Sequence, residues 1–385
     1  MNETILTSPP PGFSLAPVLH ALRRVDTILV GSVALIVMIG LCFIASATRD
    51  ESGGGLGFVG RQCIFVLLGI GVVVAMQRVN YLTVLRNAPL LYLVGLMLLC
   101  GVFLTHAVKG AHCWYNLYFF SLEPSELMKP IMILTLSHYL MYRDSYKHLS
   151  GLFVPFILAM VPLVLIAKEP QLGTALACMP VLFIMLFAAG ARFRHLALMI
   201  FCGACGMVGM WFTVLKTFQK NRVLAWWYPE EYKLKEAYQS IRALTAIGSG
   251  GFWGKGWGGA SASHLNMLPE KHTDFIFAVV CEEGGLFLAA LLLLLYFLVA
   301  LAGLGIATRT REPAGRLIAV GCVAMLCSQV LINTGVAISL LPTTGLTLPF
   351  VSYGGSSILS SFICLGLLLN IGSTHEPVLA KEDFA

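Results

Sequence analysis

The sequence predicts an all-α polytopic membrane protein of about ten transmembrane helices, with one large extracytoplasmic loop between the seventh and eighth. Three observations predict it. The mean hydropathy is +0.83. Only 11% of the 385 residues are charged. Apolar runs of roughly 20 residues, the length a helix needs to cross a bilayer, recur along nearly the whole chain. The formal charge of +6 does not point to nucleic acid, because the cations sit in loops between the apolar runs.

The first 24 residues form a polar, proline-containing tail that ends in Arg23-Arg24, with no cleavable signal peptide expected. Spans follow at 27–48, 60–77, 88–107, 125–142, 150–167, 172–190 and 195–215. A long loop covers 216–274, and the last spans fall at 275–307, 317–341 and 350–373. The final two are one stretch, 317–374, without Asp, Glu, Lys, Arg or His. It is too long for one crossing, and Pro342 and Pro349 break it. A short tail, 374–385, ends the chain, which reads as one integral membrane domain.

Orientation comes from the short loops. One alternate set carries Arg78 and Arg86, Arg143 and Lys147, Arg192 and Arg194, then Arg309, Arg311 and Arg316. The opposite set carries only Arg49, Lys109 and Lys168. Positive charge marks the cytoplasmic side, so both termini are expected there and the long loop outside. Ten of the eleven cysteines fall inside apolar runs and read as small hydrophobes; Cys113 alone lies in a loop.

Several polar residues stand out. Glu126 and Lys129 lie three apart in the first turn of the fourth span and share a helix face. An intramembrane ionisable pair reads as facing a polar cavity, against an ordinary interfacial pair. "GSGGFWGKGW" in the long loop fails as a phosphate loop, because Ser249 and Gly256 stand where Gly and Ser/Thr are required. It reads as a flexible hinge or as a backbone nest that, with Lys255, holds an anionic headgroup. His272 and Asp274 are two apart with no third ligand near in sequence, which does not make a dedicated metal site. A divalent cation, Mg or Mn, bridging Asp274 and a substrate pyrophosphate stays open. Asp274 opens the eighth span, either as a helix-terminal charge or as a reacting group. Glu282 and Glu283 lie about 12–13 Å further along the helix and read as a structural network.

At the level of whole motifs the chain resembles the SEDS family, the RodA, FtsW and SpoVE group of peptidoglycan glycosyltransferases. The resemblance covers nearly the whole chain and leans toward RodA. It rests on "GAHCWYNLYFFSLEPSELMK" (110–129), "KEPQLGTA" (168–175), "YQSIRALTAIGSGGFWGKG" (238–256), "LPEKHTDFIFAV" (268–279) and "LPTTGLTLPFVSYGGSS" (341–357), in the expected order. It departs at Cys113, where the family usually has Arg, and at Gln171, where it usually has Asp. A secondary acid near the cavity is therefore missing from its usual place.

The resemblance implies polymerisation of lipid II, the undecaprenyl-pyrophosphate disaccharide-pentapeptide, at the outer face of the bacterial cytoplasmic membrane. It implies a class B penicillin-binding protein as partner, beside other elongasome or divisome membrane proteins. Asp274 is then the expected general base for the attacking hydroxyl. Lys129 and Lys255 are the leading cations for the leaving pyrophosphate, with Arg61 and Arg222 behind them. Glu126, His272, Ser352, Gly354 and Gly355 belong to the same cavity, and Pro342 and Pro349 shape its backbone. A lipid flippase and a catalytically silent synthase scaffold are the competing readings.

Overall fold

The structure, a computed structural model, describes residues 27–49, 55–104, 113–117, 120–141, 148–169, 171–213, 217–233, 237–259 and 271–373. Both tails, with Arg23 and Arg24, lie outside the described residues, as do Lys109, Arg143 and Lys147.

A helix occupies each of the ten apolar stretches. In chain order, with the short helices between them, they are α1 (Thr27–Ala47), α2 (Gly55–Met76), α3 (Tyr81–Arg86) and α4 (Ala88–Val102). Next come α5 (Pro124–Leu140), α6 (Phe153–Lys168), α7 (Leu172–Ala189), α8 (Phe193–Thr213), α9 (Thr217–Trp227) and α10 (Tyr238–Gly250). The last are α11 (Ile276–Arg309), α12 (Pro313–Ala337) and α13 (Gly355–Ser373). In an apolar solvent only internal hydrogen bonds can satisfy these backbones, and the helix supplies them. Six of the described helices are long and apolar enough to cross a bilayer by length and composition: α1, the Gly57–Met76 part of α2, α8, α11, α12 and α13.

α5, α12 and α13 bury most of their residues and form the centre. α11 packs along α1, α10 and α12, α13 along α2, and α7 along α12. α8 instead leaves Phe201, Met207 and Phe212 exposed, as a lipid-facing helix does.

Three local features differ from a simple chain of spans. First, Tyr115–Leu117 (β1) and Phe120–Leu122 (β2) pair antiparallel ahead of α5. This short pair adds to an otherwise all-α architecture, where the aromatic run had read only as the approach to a span. Second, the long loop carries α9 and α10, and α10 docks on α11. A Cβ on Gly250 would stand 2.0 Å from the Cys281 carbonyl oxygen, so only glycine allows the approach. Third, α11 breaks at Gly285 (φ 68°, ψ −171°). The glycine-rich loop closes that break. Lys255 and Gly256 N–H donate to the Glu282 and Glu283 carbonyls at 3.0 Å each, and Leu286 and Phe287 N–H donate to the Gly251 and Phe252 carbonyls at 3.0 and 3.1 Å. The Lys255 and Gly256 amides are thus spent on α11 rather than open to an anion.

Candidate active site

Asp274 lies in the turn 271–275 that leads into α11. The N-cap position belongs to Phe275, so Asp274 stands one residue outside the helix proper. The turn is held by three successive carbonyls. Tyr353 N–H donates to His272 O at 2.9 Å, Ser352 Oγ to Thr273 O at 2.6 Å, and Asn333 Nδ2 to Asp274 O at 2.9 Å. Asn333 also donates to Leu346 O at 2.6 Å, so one buried amide of α12 fixes both the acidic turn and the segment opposite it. The His272 ring packs 5.1 Å from Phe58 and 5.7 Å from Tyr353, centroid to centroid.

The irregular segment 338–354 forms the facing wall. Gly345 has φ +69°, and a Cβ there would sit 3.5 Å from Asp274 Oδ2. Backbone of this kind is tolerated at membrane depth only where protein surrounds it. The Leu348 N–H donates to Ser352 Oγ at 2.8 Å, and the Tyr296 hydroxyl donates to the Pro349 carbonyl. From α2, Gln62 donates to Ser352 O at 3.1 Å and accepts from Gly354 N–H at 3.3 Å. Asp274 opens onto a small cleft of about 40 Å³, lined also by Arg222, Gln239, Asn333, Thr343 and Thr344. That space suits a hydroxyl group rather than a whole sugar ring.

Below the hairpin lies a second polar region. Lys129 Nζ and Glu126 Oε2 are 2.6 Å apart and both side chains are buried. Pro124 starts α5 at the one position where its missing N–H costs nothing. Glu123, just before it, donates its N–H to Ser356 Oγ at 2.9 Å. Ser356 lies four residues from Ser352, so the segment 352–356 touches both the Asp274 turn and the entry to α5.

The structure orders the candidate cations differently from the sequence. Lys255 Nζ is 2.7 Å from Glu282 Oε1, which commits it to the break in α11. Arg222 lines the Asp274 cleft. Arg61 is exposed on α2, and its neighbour Gln62 makes the inward contacts. Glu283 Oε1 accepts from Ser46 Oγ at 2.6 Å, so Glu282 and Glu283 tie α11 to the loop and to α1. Gly355 packs where a Cβ would meet the Phe65 ring at 2.8 Å. Among the described residues no group of three His, Cys, Asp or Glu side chains could hold a metal ion.

Cys113 and Gln171, the two departures, prove to be neighbours. Cys113 Sγ donates to the Glu169 carbonyl at 2.8 Å, and its thiol is pushed up to about 12, by burial first and then by Glu123 and Glu169. The Glu169 carboxyl is pushed up to about 8, by burial and then by Glu123. The folded state therefore holds a proton that the unfolded chain releases near 4.5. The contribution of Glu169 to stability is greatest below about pH 4.5 and falls as pH rises to about 8, by roughly 1.4 kcal/mol per pH unit at most. Glu169→Gln is expected to raise the melting temperature above pH 8 and to change it little at pH 5. Equal shifts at the two pH values would remove this assignment.

The sequence overlooked Gln62, Gln239, Asn333 and Thr344. For Gln62 and Asn333 the available signal was an uncharged polar residue inside an apolar run, which is rare enough to ask for a partner; Gln239 and Thr344 lie outside such runs and gave no such signal.

The chain is similar to known proteins over nearly its whole length. A family model for FtsW, RodA and SpoVE cell cycle proteins matches residues 26–376. The peptidoglycan glycosyltransferase MrdB of Escherichia coli K12 is 34% identical over 350 residues, covering 90% of this chain and 94% of that one. The stage V sporulation protein E of Bacillus subtilis is 34% identical over 362 residues, covering 90% and 96%. A solved structure concerned with coordination of polymerization and crosslinking by a peptidoglycan synthase complex aligns with TM-score 0.79 and 30% identity, covering 90% and 97%. The crystal structure of Thermus thermophilus RodA aligns with TM-score 0.67 and 29% identity, covering 90% and 96%.

Proposed function

The chain belongs to the FtsW, RodA and SpoVE family of cell cycle proteins, and we propose that it is a peptidoglycan glycosyltransferase with Asp274 as its general base. The carrying observation is the Asp274 turn, whose three consecutive carbonyls are each held from the 333–353 segment. Such support holds the turn that carries the carboxylate before substrate arrives, and pre-organisation of this kind lowers the barrier.

In this reading an acceptor sugar hydroxyl of lipid II enters the cleft and loses its proton to Asp274 as it attacks the donor's anomeric carbon. The C–O bond to undecaprenyl pyrophosphate breaks, and negative charge grows on that leaving group. Arg222 at the cleft and Lys129 on α5 are the cations assigned to offset the charge. A single displacement of this kind inverts the anomeric centre. A divalent ion, if used, would draw most of its ligands from the pyrophosphate, since the described side chains provide no such set.

All ten long helices are proposed to cross the cytoplasmic membrane, with both termini inside and α9, α10 and Asp274 outside. A class B penicillin-binding protein is the proposed partner that crosslinks the new strands. Vesicles holding the protein and labelled lipid II test the reaction class. Glycan strands should accumulate; movement of the lipid between leaflets without polymer would mean a flippase instead.

A further inference from the structure

We propose that Glu123 is the second acid of this site: a positioning residue, held by Gln171 and tied through its own N–H to Ser356. The activity part of this inference rests on the polymerase reading above; the pairing part does not.

The family resemblance puts an acid at position 171, and here an amide stands there. The structure shows what faces that amide. Gln171 Nε2 donates to Glu123 Oε1. At the other end of the amide, Ser125 Oγ lies 2.5 Å from Gln171 Oε1 and 3.2 Å from Glu123 Oε1. A hydroxyl has one proton, and the shorter contact takes it. Both ends of the Gln171 amide are thus committed, and its N–H selects an acceptor at position 123. The acid has not been lost. It has moved across one hydrogen bond, onto the residue that precedes α5.

Its surroundings give the acid something to do. On α5, Lys129 attracts the Glu123 carboxylate and Glu126 repels it. From the end of α6, Glu169 lies close enough that the Glu123 carboxylate raises its pKa. Burial is the largest influence and pushes the Glu123 carboxyl up to about 7, with Lys129, Ser125 and Gln171 acting against it. With the Ser125 proton on Gln171, the ionised form depends chiefly on Lys129 and the Gln171 N–H. Glu126 lies 2.6 Å from the buried Lys129 Nζ in the second turn of α5, where a lone buried cation would be costly. The Glu123 backbone is tied through Ser356 to the segment that also holds the Asp274 turn, so a shift at Glu123 is felt at the base.

Four proteins test this: the parent, Glu123→Gln, Gln171→Glu and the exchanged pair E123Q/Q171E. Gln171→Glu removes the donor and sets two half-buried acids against each other. It should lower the melting temperature in the parent but change it little in the Glu123→Gln background, because contacting residues are not additive. At a temperature where all four are folded, Glu123→Gln should lower kcat on lipid II about tenfold with KM little changed, and the exchanged pair should recover to within about threefold. An equal melting cost of Gln171→Glu in both backgrounds overturns the pairing. A parental kcat in Glu123→Gln, or no recovery in the exchanged pair, overturns the positioning role. A parent that makes no glycan counts against the polymerase reading, and the melting cycle still decides the pairing.

Discussion

Asp274→Asn is expected to lower glycan synthesis from lipid II by about a thousandfold or more, the range lost when a general base is removed. The amide keeps the shape of the side chain, and the backbone bonds from Tyr353, Ser352 and Asn333 reach only carbonyls of the turn. The turn should therefore keep its place, and the melting temperature should move little. What disappears is the capacity to accept a proton in a cleft that fits a hydroxyl. Asp274→Ala should be equally inactive. A wild-type rate in either variant would move the chemistry to another group, and the buried Glu126 would be the next to test.

Gly285→Ala should cost about 3 kcal/mol or more, enough to lose much of the folded protein. Gly285 has φ 68° and ψ −171°, a region open essentially to glycine alone. A Cβ there would stand 2.3 Å from Gly254 N and 2.5 Å from Phe252 O, which are backbone atoms that cannot swing aside. The break leaves the Glu282 and Glu283 carbonyls without helical partners, and the loop 251–256 provides them. Gly254→Ala should fail in the same way, since its Cβ would lie 2.1 Å from Glu283 O. Gly248→Ala is the control: nothing lies within 4 Å of its Cβ, so a neutral or slightly stabilising result is expected. Similar melting temperatures for Gly248→Ala and Gly285→Ala would contradict the account of the clip.

Helix placement was legible because lipid solvation leaves few options: an apolar run of sufficient length reads as a helix, and Pro342 and Pro349 mark the break before α13. The acidic turn was legible because charge at a span boundary asks for a reason. Other features depended on what lies opposite in space. Lys255 looked like a substrate cation until Glu282, 27 residues on, was found 2.7 Å away. The glycine-rich loop resembled a flexible segment because its hydrogen-bond partners belong to the break in α11, and a glycine inside a 34-residue helix does not announce φ > 0. The β1–β2 hairpin was hidden by an aromatic run with no turn residue of the usual kind. Position 171 was flagged as a missing acid, yet only the fold shows Glu123 across from it.

The central claim is that this chain alone joins lipid II into glycan strands at Asp274. The most direct measurement is incubation of the purified protein with lipid II, without any transpeptidase, followed by muramidase digestion of the product. The account predicts long strands that the muramidase degrades to disaccharide units, and their absence with Asp274→Asn. Unchanged lipid II with the folded wild-type protein, or strands of equal yield from Asp274→Asn, would contradict it.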